Sequence, residues 1–159
     1  MHVYETKHPV AHAADDMFAL VARVEDYPKF LPLCEAIDIK RRETCEGKEV
    51  IVATMTVGYG LIRESFTTKV HLDRAARRIL VEYLDGPFTF LENRWHFHPN
   101  GSQACDVEFY IAYAFSSRLF ERLVGRLFAK AVERYTSAFK ARADVVYGRN
   151  ANALASQQR

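Results

Sequence analysis

Apolar and polar residues alternate with a period of two through the middle of the chain, and this pattern predicts an antiparallel sheet. The run from Cys105 to Phe115 shows the alternation most clearly. Breakers such as Asp85-Gly86-Pro87 separate one alternating run from the next. The predicted strands cover residues 2–8, 34–44, 49–57, 61–72, 79–84, 88–97 and 105–115.

Helical spacing appears on both sides of these strands. Asp15 and Asp16 begin one predicted helix, because carboxylates stabilise the free N–H groups at a helix N-terminus. Pro28 and Pro32 bound a very short helix at residues 28–31, since proline suits a first helical turn and displaces the preceding residue from the α region. From residue 118 to 144, apolar positions recur with helical spacing and predict one long amphipathic helix.

These elements predict an α+β fold in a single domain of residues 1–148. A strongly curved antiparallel sheet has one apolar face, and the long C-terminal helix can cover it, with the two short helices following the first strand. This is the helix-grip arrangement of START-like domains. Residues 149–159 show no periodicity and are predicted to form a disordered tail.

The composition indicates a globular cytoplasmic protein. Hydrophobic residues make up 49% and charged residues 26% of 159 residues, and the net charge of +2 is too small by itself to indicate nucleic-acid binding. The start of the chain does not resemble a signal peptide, and no apolar run approaches the roughly 18 residues that a membrane-spanning helix needs. Cys34, Cys45 and Cys105 are odd in number and scattered, which favours reduced thiols.

Several motifs together resemble the coenzyme-Q-binding START-like family, part of the polyketide cyclase and lipid-transfer superfamily. They are VEDYPKFLPLC at 24–34, GLIRESFTTKV at 60–70, DGPFTFLENRWHF at 85–97, the alternating Cys105, Val107 and Phe109, and KARADVVYG at 140–148. The resemblance implies a lipophilic tunnel that holds ubiquinone, and a role as a quinone chaperone in respiration and quinone synthesis. Peripheral contact with the inner membrane would follow. Bacterial members of the family are also linked to ribosome association as toxins.

The tunnel would be lined by inward-facing strand residues and by one face of the long helix. An apolar stripe of this kind is also what a filled core requires, so the alternation alone leaves both interpretations open. The candidate lining residues are Phe30, Leu31, Leu33, Phe66, Val70, Tyr83, Phe88, Phe90, Leu91, Trp95, Phe97, Val107, Phe109, Leu123, Leu127 and Phe128.

Two polar residues fall among these apolar positions. Glu64 shares the inward face with Phe66 and could contact a ligand head group, act as an acid or base in an aromatase/cyclase-like enzyme, or lie in water at the open end of the sheet. Asn93 could donate a hydrogen bond to a head-group carbonyl or bond to the backbone instead. Motifs for a catalytic nucleophile are lacking, so a binding protein is expected rather than an enzyme.

Two surface features complete the candidates. His96 and His98 share a strand face, but the sequence offers no evident third ligand, and no metal is expected. Arg118, Arg122, Arg126 and Lys130 give the last helix a basic face, which could be solvated, attract anionic lipid or bind ribosomal RNA. The sequence leaves open whether the chain is a monomer or a weak dimer.

Overall fold

A computed structural model describes residues 1–148 of the chain. The predicted disordered tail, 149–159, lies outside these residues. The strands are β1 His2–Val10, β2 Cys34–Cys45, β3 Lys48–Tyr59, β4 Ile62–Asp73, β5 Arg78–Asp85, β6 Phe88–Pro99 and β7 Cys105–Phe115. The helices are α1 Ala14–Ala22, a 3₁₀ helix Val24–Lys29, α2 Arg118–Glu133 and α3 Tyr135–Tyr147.

All seven strands form one antiparallel sheet in the order β1-β7-β6-β5-β4-β3-β2. Consecutive strands pair as hairpins from β2 to β7, as the alternation and the turn signals predict. β1 pairs with β7 over its whole length, from His2 opposite Tyr113 to Val10 opposite Cys105. The two edges of the sheet are therefore β1 and β2, and the predicted helix-grip fold is confirmed.

The core lies between the concave face of the sheet and the helices. Phe18 of α1 packs edge-on against Phe97 of β6 at 6.1 Å between ring centroids. Phe139 of α3 packs in the same way against Trp95, at 5.1 Å. His12 Nε2 lies 2.7 Å from Asp144 Oδ1, which joins α3 to the segment before α1. α1 and α3 thus fix one end of the concave face.

The prediction of one unbroken helix from 118 to 144 is wrong, because the helix is interrupted at Arg134. The N–H of Arg134 donates to the carbonyl of Ala131 at 3.1 Å, a three-residue bond where a regular helix makes a four-residue bond. The next helix restarts at once, with Ala138 N–H donating to the carbonyl of Arg134 at 2.9 Å. The interruption divides the helix into α2 and α3, which pack differently.

The short helix predicted at residues 28–31 lies earlier in the chain than predicted. The structure has a 3₁₀ helix at Val24–Lys29, with Pro28 inside it. The hydrogen bonds of this helix span three residues, as in the bond from Asp26 N–H to the carbonyl of Arg23. Pro28 lacks an N–H but supplies a fixed φ that a tight helix can use. Leu33, at φ 66, then turns the chain into β2.

Within residues 1–148, no helix has both the length and the apolar character needed to cross a membrane.

Candidate functional site

An inner cavity of about 80 Å³ lies between the concave face of the sheet and the helices. Its walls come from β2, β3, β4, β5, β6 and β7 on one side and from the 3₁₀ helix, α2 and α3 on the other. Nearly all the lining side chains are apolar. They are Val24, Tyr27, Leu31, Ile37, Ala53, Met55, Phe66, Thr68, Val70, Val81, Leu91, Asn93, Trp95, Ile111, Phe128, Tyr135 and Phe139.

An outer pocket of about 40 Å³ lies beside it, under the β3–β4 turn and the first half of α2. This pocket is also apolar apart from one carboxylate. Its walls are Leu33, Val57, Gly58, Tyr59, Ile62, Glu64, Phe66, Pro87, Phe88, Phe115, Phe120, Val124, Leu127 and Phe128.

Phe66 and Phe128 belong to the walls of both cavities. The two rings therefore form a constriction between the inner cavity and the outer pocket. Phe88 supports both of them, with its ring centroid 5.5 Å from that of Phe66 and 5.5 Å from that of Phe128.

Asn93 lies on the wall of the inner cavity, but its amide group is already bonded within the protein. Its Nδ2 donates to the carbonyl of Tyr110 at 2.9 Å, and its Oδ1 accepts from Nε1 of Trp95 at 2.9 Å. The bond to the Tyr110 carbonyl is a backbone bond of the kind that the sequence left open as an alternative to a head-group contact. Asn93 thereby fixes the indole of Trp95 against the cavity.

Two hydroxyl groups of the inner cavity have no hydrogen-bond partner among residues 1–148: those of Thr68 and Tyr135. The hydroxyl of Tyr27, by contrast, donates to the carbonyl of Val21. Burial raises the pKa of Tyr135 above its usual value, so its hydroxyl stays protonated. The inner cavity is thus an apolar chamber whose lining includes two residues with unpaired hydroxyl groups.

Glu64 lies on the wall of the outer pocket and is partly buried, as its inward position in the alternation predicts. It has no hydrogen bond or ion pair within the described part of the chain. The neighbouring Arg63 faces the other side of β4, where its Nε lies 2.7 Å from Oε1 of Glu35. Glu64 is therefore a lone carboxylate near the mouth of the pocket.

About half of the predicted lining residues do line one of these two cavities. They are Leu31, Leu33, Phe66, Val70, Phe88, Leu91, Trp95, Leu127 and Phe128. Phe97, Val107 and Phe109 are instead almost completely buried in the core, where Phe97 packs against Phe18 of α1. Tyr83 packs against Phe88, and Phe30 packs against Phe139, so both support the lining from outside the cavity walls.

Two predicted lining residues face the wrong way. Phe90 is 36% exposed, because it precedes the buried Leu91 on β6 and neighbouring residues of a strand point to opposite faces. Leu123 is 63% exposed, because α2 directs Phe128, Ala131 and Val132 toward the core. The helical spacing places Leu123 on another side of the helix.

Strands β2 and β3 also contribute to the site, and the predicted lining residues did not include any from them. Ile37, Met55 and Val57 line the cavities, and the alternation along 49–57 already places Met55 and Val57 on one face. Tyr135, a polar residue of the inner cavity, was likewise not among the predicted site residues. Helical spacing identifies Tyr135 as apolar-facing, but its position beside the break at Arg134 is a tertiary feature.

A surface groove outside the outer pocket combines basic and apolar side chains. Arg122, Leu123, Arg126 and Lys130 of α2 line it opposite Tyr59 and Ile62, and the carboxylate of Glu121 lies among them. Leu61, at the tip of the β3–β4 turn, is 100% exposed, and Leu119, one helical turn before Leu123, is 68% exposed. Three of the four predicted basic residues thus meet at this groove, and exposed Arg118 lies in the first turn of the same helix.

A histidine cluster lies on the opposite face of the sheet. His96, His98 and Glu108 present ligand atoms within 4.8 Å of one another, and His98 Nε2 lies 3.1 Å from Glu108 Oε2. Burial and the neighbouring His98 lower the pKa of His96. Glu108, paired with His96 across β6 and β7, is the third group that the sequence alone did not reveal.

Residues 10–140 match the family described as polyketide cyclase / dehydrase and lipid transport. The chain belongs to this family. It is 35% identical over 138 residues to the ribosome association toxin RatA of Escherichia coli, with 87% of this chain and 84% of the toxin covered. It is 32% identical over 150 residues to the mitochondrial coenzyme Q-binding protein COQ10 of Dictyostelium discoideum, with 91% of this chain and 68% of that protein covered.

A solved structure shows the same fold. The 18 kDa protein CC1736 of Caulobacter crescentus is 34% identical and superposes with a TM-score of 0.74 over 93% of this chain and 99% of that one. The resemblance noted from the sequence motifs is confirmed, as is the START-like fold. Family membership places an apolar interior of this kind in a group that includes both lipid transport and cyclase proteins.

Proposed function

We propose that this protein binds a polyisoprenoid quinone of the ubiquinone type in its apolar interior and acts as a quinone chaperone or carrier. The observation that supports the proposal most is the adjacent pair of apolar cavities that share Phe66 and Phe128 in their walls. Burial of one CH₂ group contributes about 0.8 kcal/mol, so a prenyl chain can bind strongly through apolar area alone. The relative named as a coenzyme Q-binding protein supports the same ligand.

The cavities are too small for a long prenyl chain in the form described here, so binding requires an opening. α2 is suited to move, because its buried residues are Phe128, Ala131 and Val132, all in its second half. Residues 118–127 of α2 contribute no buried residue to the core. Displacement of this first part of α2, together with rotation of Phe66 or Phe128, would open the outer pocket into the inner cavity.

We propose that the protein meets the inner membrane through the tip formed by Leu61, Leu119 and Leu123. Exposed leucines gain free energy when they enter a lipid interface, and each basic side chain near an anionic surface adds about 1 kcal/mol. Arg122, Arg126 and Lys130 line the groove that includes Leu123. Because the outer pocket lies next to the tip, ligand could pass between membrane and protein with little exposure to water.

The direct test is native mass spectrometry of protein purified from a quinone-producing host, followed by organic extraction of the bound ligand. We expect a mass increment equal to the quinone of the host. Phospholipid alone, or an empty protein, would contradict the proposal. Ala53→Leu fills part of the inner cavity and should lower quinone content, whereas the same change at exposed Ala36 on β2 should not.

Ribosome association is a second candidate function, favoured by the relatives named ribosome association toxins and by the basic face of α2. It predicts co-sedimentation with ribosomal subunits that weakens as salt rises, because phosphate contacts release counterions. Reversal of charge at Arg122, Arg126 and Lys130 should abolish it. Reversal at Lys40, Arg41 and Arg42 of β2 is the matched control, and no co-sedimentation at low salt would exclude this candidate.

A further inference from the structure

Thr68 and Tyr135 line the inner cavity from the sheet side and the helix side, and each carries a hydroxyl group. Thr68 lies on β4 and is 8% exposed, and Tyr135 is the first residue of α3. The cavity contains two other polar side chains, Tyr27 and Asn93, and each is bonded to the protein backbone. The hydroxyls of Thr68 and Tyr135 alone remain unpaired among the cavity groups described in residues 1–148.

An unpaired hydroxyl in an apolar chamber is unfavourable, and buried polar groups in proteins are nearly always bonded to something. A polar atom of a ligand is a suitable partner here, since the surrounding walls are aliphatic and aromatic. The break at Arg134 contributes to this arrangement, because it starts a new helix at Tyr135 and so sets the direction of that side chain separately from α2.

We propose that Thr68 and Tyr135 form a polar subsite that binds a ring oxygen of the ligand. The inference rests on the proposed quinone function and specifies how the head group is held: the ring lies in the inner cavity, and the prenyl chain passes between Phe66 and Phe128 into the outer pocket. Neither Glu64 nor Asn93 is needed for this contact.

The same two groups can serve both oxidation states of a quinone. A carbonyl oxygen of the oxidised ring accepts a hydrogen bond, whereas a hydroxyl of the reduced ring can also donate one. Threonine and tyrosine hydroxyls rotate and can either donate or accept. A carrier with this subsite would retain its ligand on both sides of a redox reaction, while the apolar walls would contribute equally to both forms.

The test compares a short-chain quinone with a matched apolar probe. The probes are decylubiquinone and decylbenzene, which lacks oxygen atoms, and the affinities are measured by isothermal titration calorimetry. Each of Tyr135→Phe and Thr68→Val should weaken decylubiquinone binding by about fivefold, since each removes one neutral hydrogen bond. Affinity for decylbenzene should stay within about twofold of wild type, because the cavity keeps its volume.

Matched controls come from the outer face of the sheet: Thr67→Val on β4 and Tyr110→Phe on β7, neither of which lines a cavity. Circular dichroism and melting temperature verify that every variant folds. Equal affinity of wild type and both subsite variants for decylubiquinone overturns the subsite and leaves the quinone function standing. A wild-type protein that binds decylbenzene but not decylubiquinone, or neither probe, overturns the quinone function and the subsite with it.

Discussion

Gly86 lies directly against Phe66, so closely that a Cβ on Gly86 would stand 2.5 Å from the Cβ of Phe66. Gly86 also has φ 142, a backbone conformation that residues with a side chain rarely adopt. The β5–β6 turn therefore depends on glycine for two reasons. Because Phe66 forms the constriction, the conformation of this turn and the connection between the cavities are linked.

We expect Gly86→Ala to lower the free energy of unfolding by about 2–4 kcal/mol, since it adds both backbone strain and overlap with Phe66. Gly101→Ala is the matched control. Gly101 has φ 79, but a Cβ added there would meet no atom within 4 Å apart from its chain neighbours. Only backbone strain therefore applies, and the loss should be about 1 kcal/mol. Urea denaturation measures both changes, and equal losses would show that the contact with Phe66 is not limiting.

Removal of the Asn93 amide should destabilise the protein through Trp95. We expect Asn93→Ala to cost about 2–3 kcal/mol, because it leaves Nε1 of Trp95 and the carbonyl of Tyr110 without their partner. Trp95→Phe removes the indole N–H, so the double variant should lose less than the sum of the single losses. A double-mutant cycle from urea unfolding measures this coupling, and strict additivity would count against it.

The alternation of apolar residues was sufficient to predict the strands and the sheet, because burial on one face of a strand imposes a period of two. The details of the site depend on single-residue irregularities that periodicity cannot reveal. One extra residue between Phe88 and Phe90 puts Phe88 on the inward face together with Leu91, three positions later. One shortened hydrogen bond at Arg134 divides the last helix and positions Tyr135.

For the polar groups of the site, periodicity likewise predicts which face a residue lies on but not which partners its side chain has. Glu64 lies on the wall that its place in the alternation predicts. Asn93 also lies on the wall that its place in the alternation predicts. Whether its amide is free, however, depends on its bonds to Trp95 and to Tyr110 of another strand. Which hydroxyls remain unpaired is likewise a property of the assembled cavity.

Thiol reactivity should distinguish Cys45 from the other two cysteines. Burial raises the pKa of Cys34 to about 11 and that of Cys105 to about 12, so both remain protonated thiols at pH 8. Cys45 is exposed at the end of β2. We expect a thiol reagent such as dithionitrobenzoate to modify one cysteine per folded chain at pH 8 and three after denaturation. Rapid modification of Cys34 or Cys105 would indicate that the core opens readily.

Exposed leucines at the tip should control membrane binding. We expect Leu61→Ser with Leu123→Ser to lower partitioning to vesicles containing anionic lipid by about tenfold or more, because each change removes a large apolar side chain from the interface. The control is Val145→Ser, which should have little effect. Val145 is an exposed residue of α3 and lies outside the basic groove. Co-sedimentation with vesicles measures partitioning.

The salt and lipid dependence of the same assay provides a second check. Binding should weaken as salt rises, since the basic side chains act through a screened charge interaction. It should also weaken when neutral lipid replaces anionic lipid. Partitioning that is unaffected by the leucine changes would exclude this tip as the membrane contact.

The free edge of the sheet at β2 has a consequence for the behaviour of the protein in the crowded cell. The pairing of β2 with β3 is irregular at two places, between Cys34 and Ala36 and between Ile39 and Arg41. Ion pairs of Lys40 with Asp38 and of Arg41 with Glu43 place alternating charges along the strand. A bent and charged edge is a poor template for another strand, so a chain that opens its apolar interior to exchange ligand is protected from sheet-to-sheet aggregation.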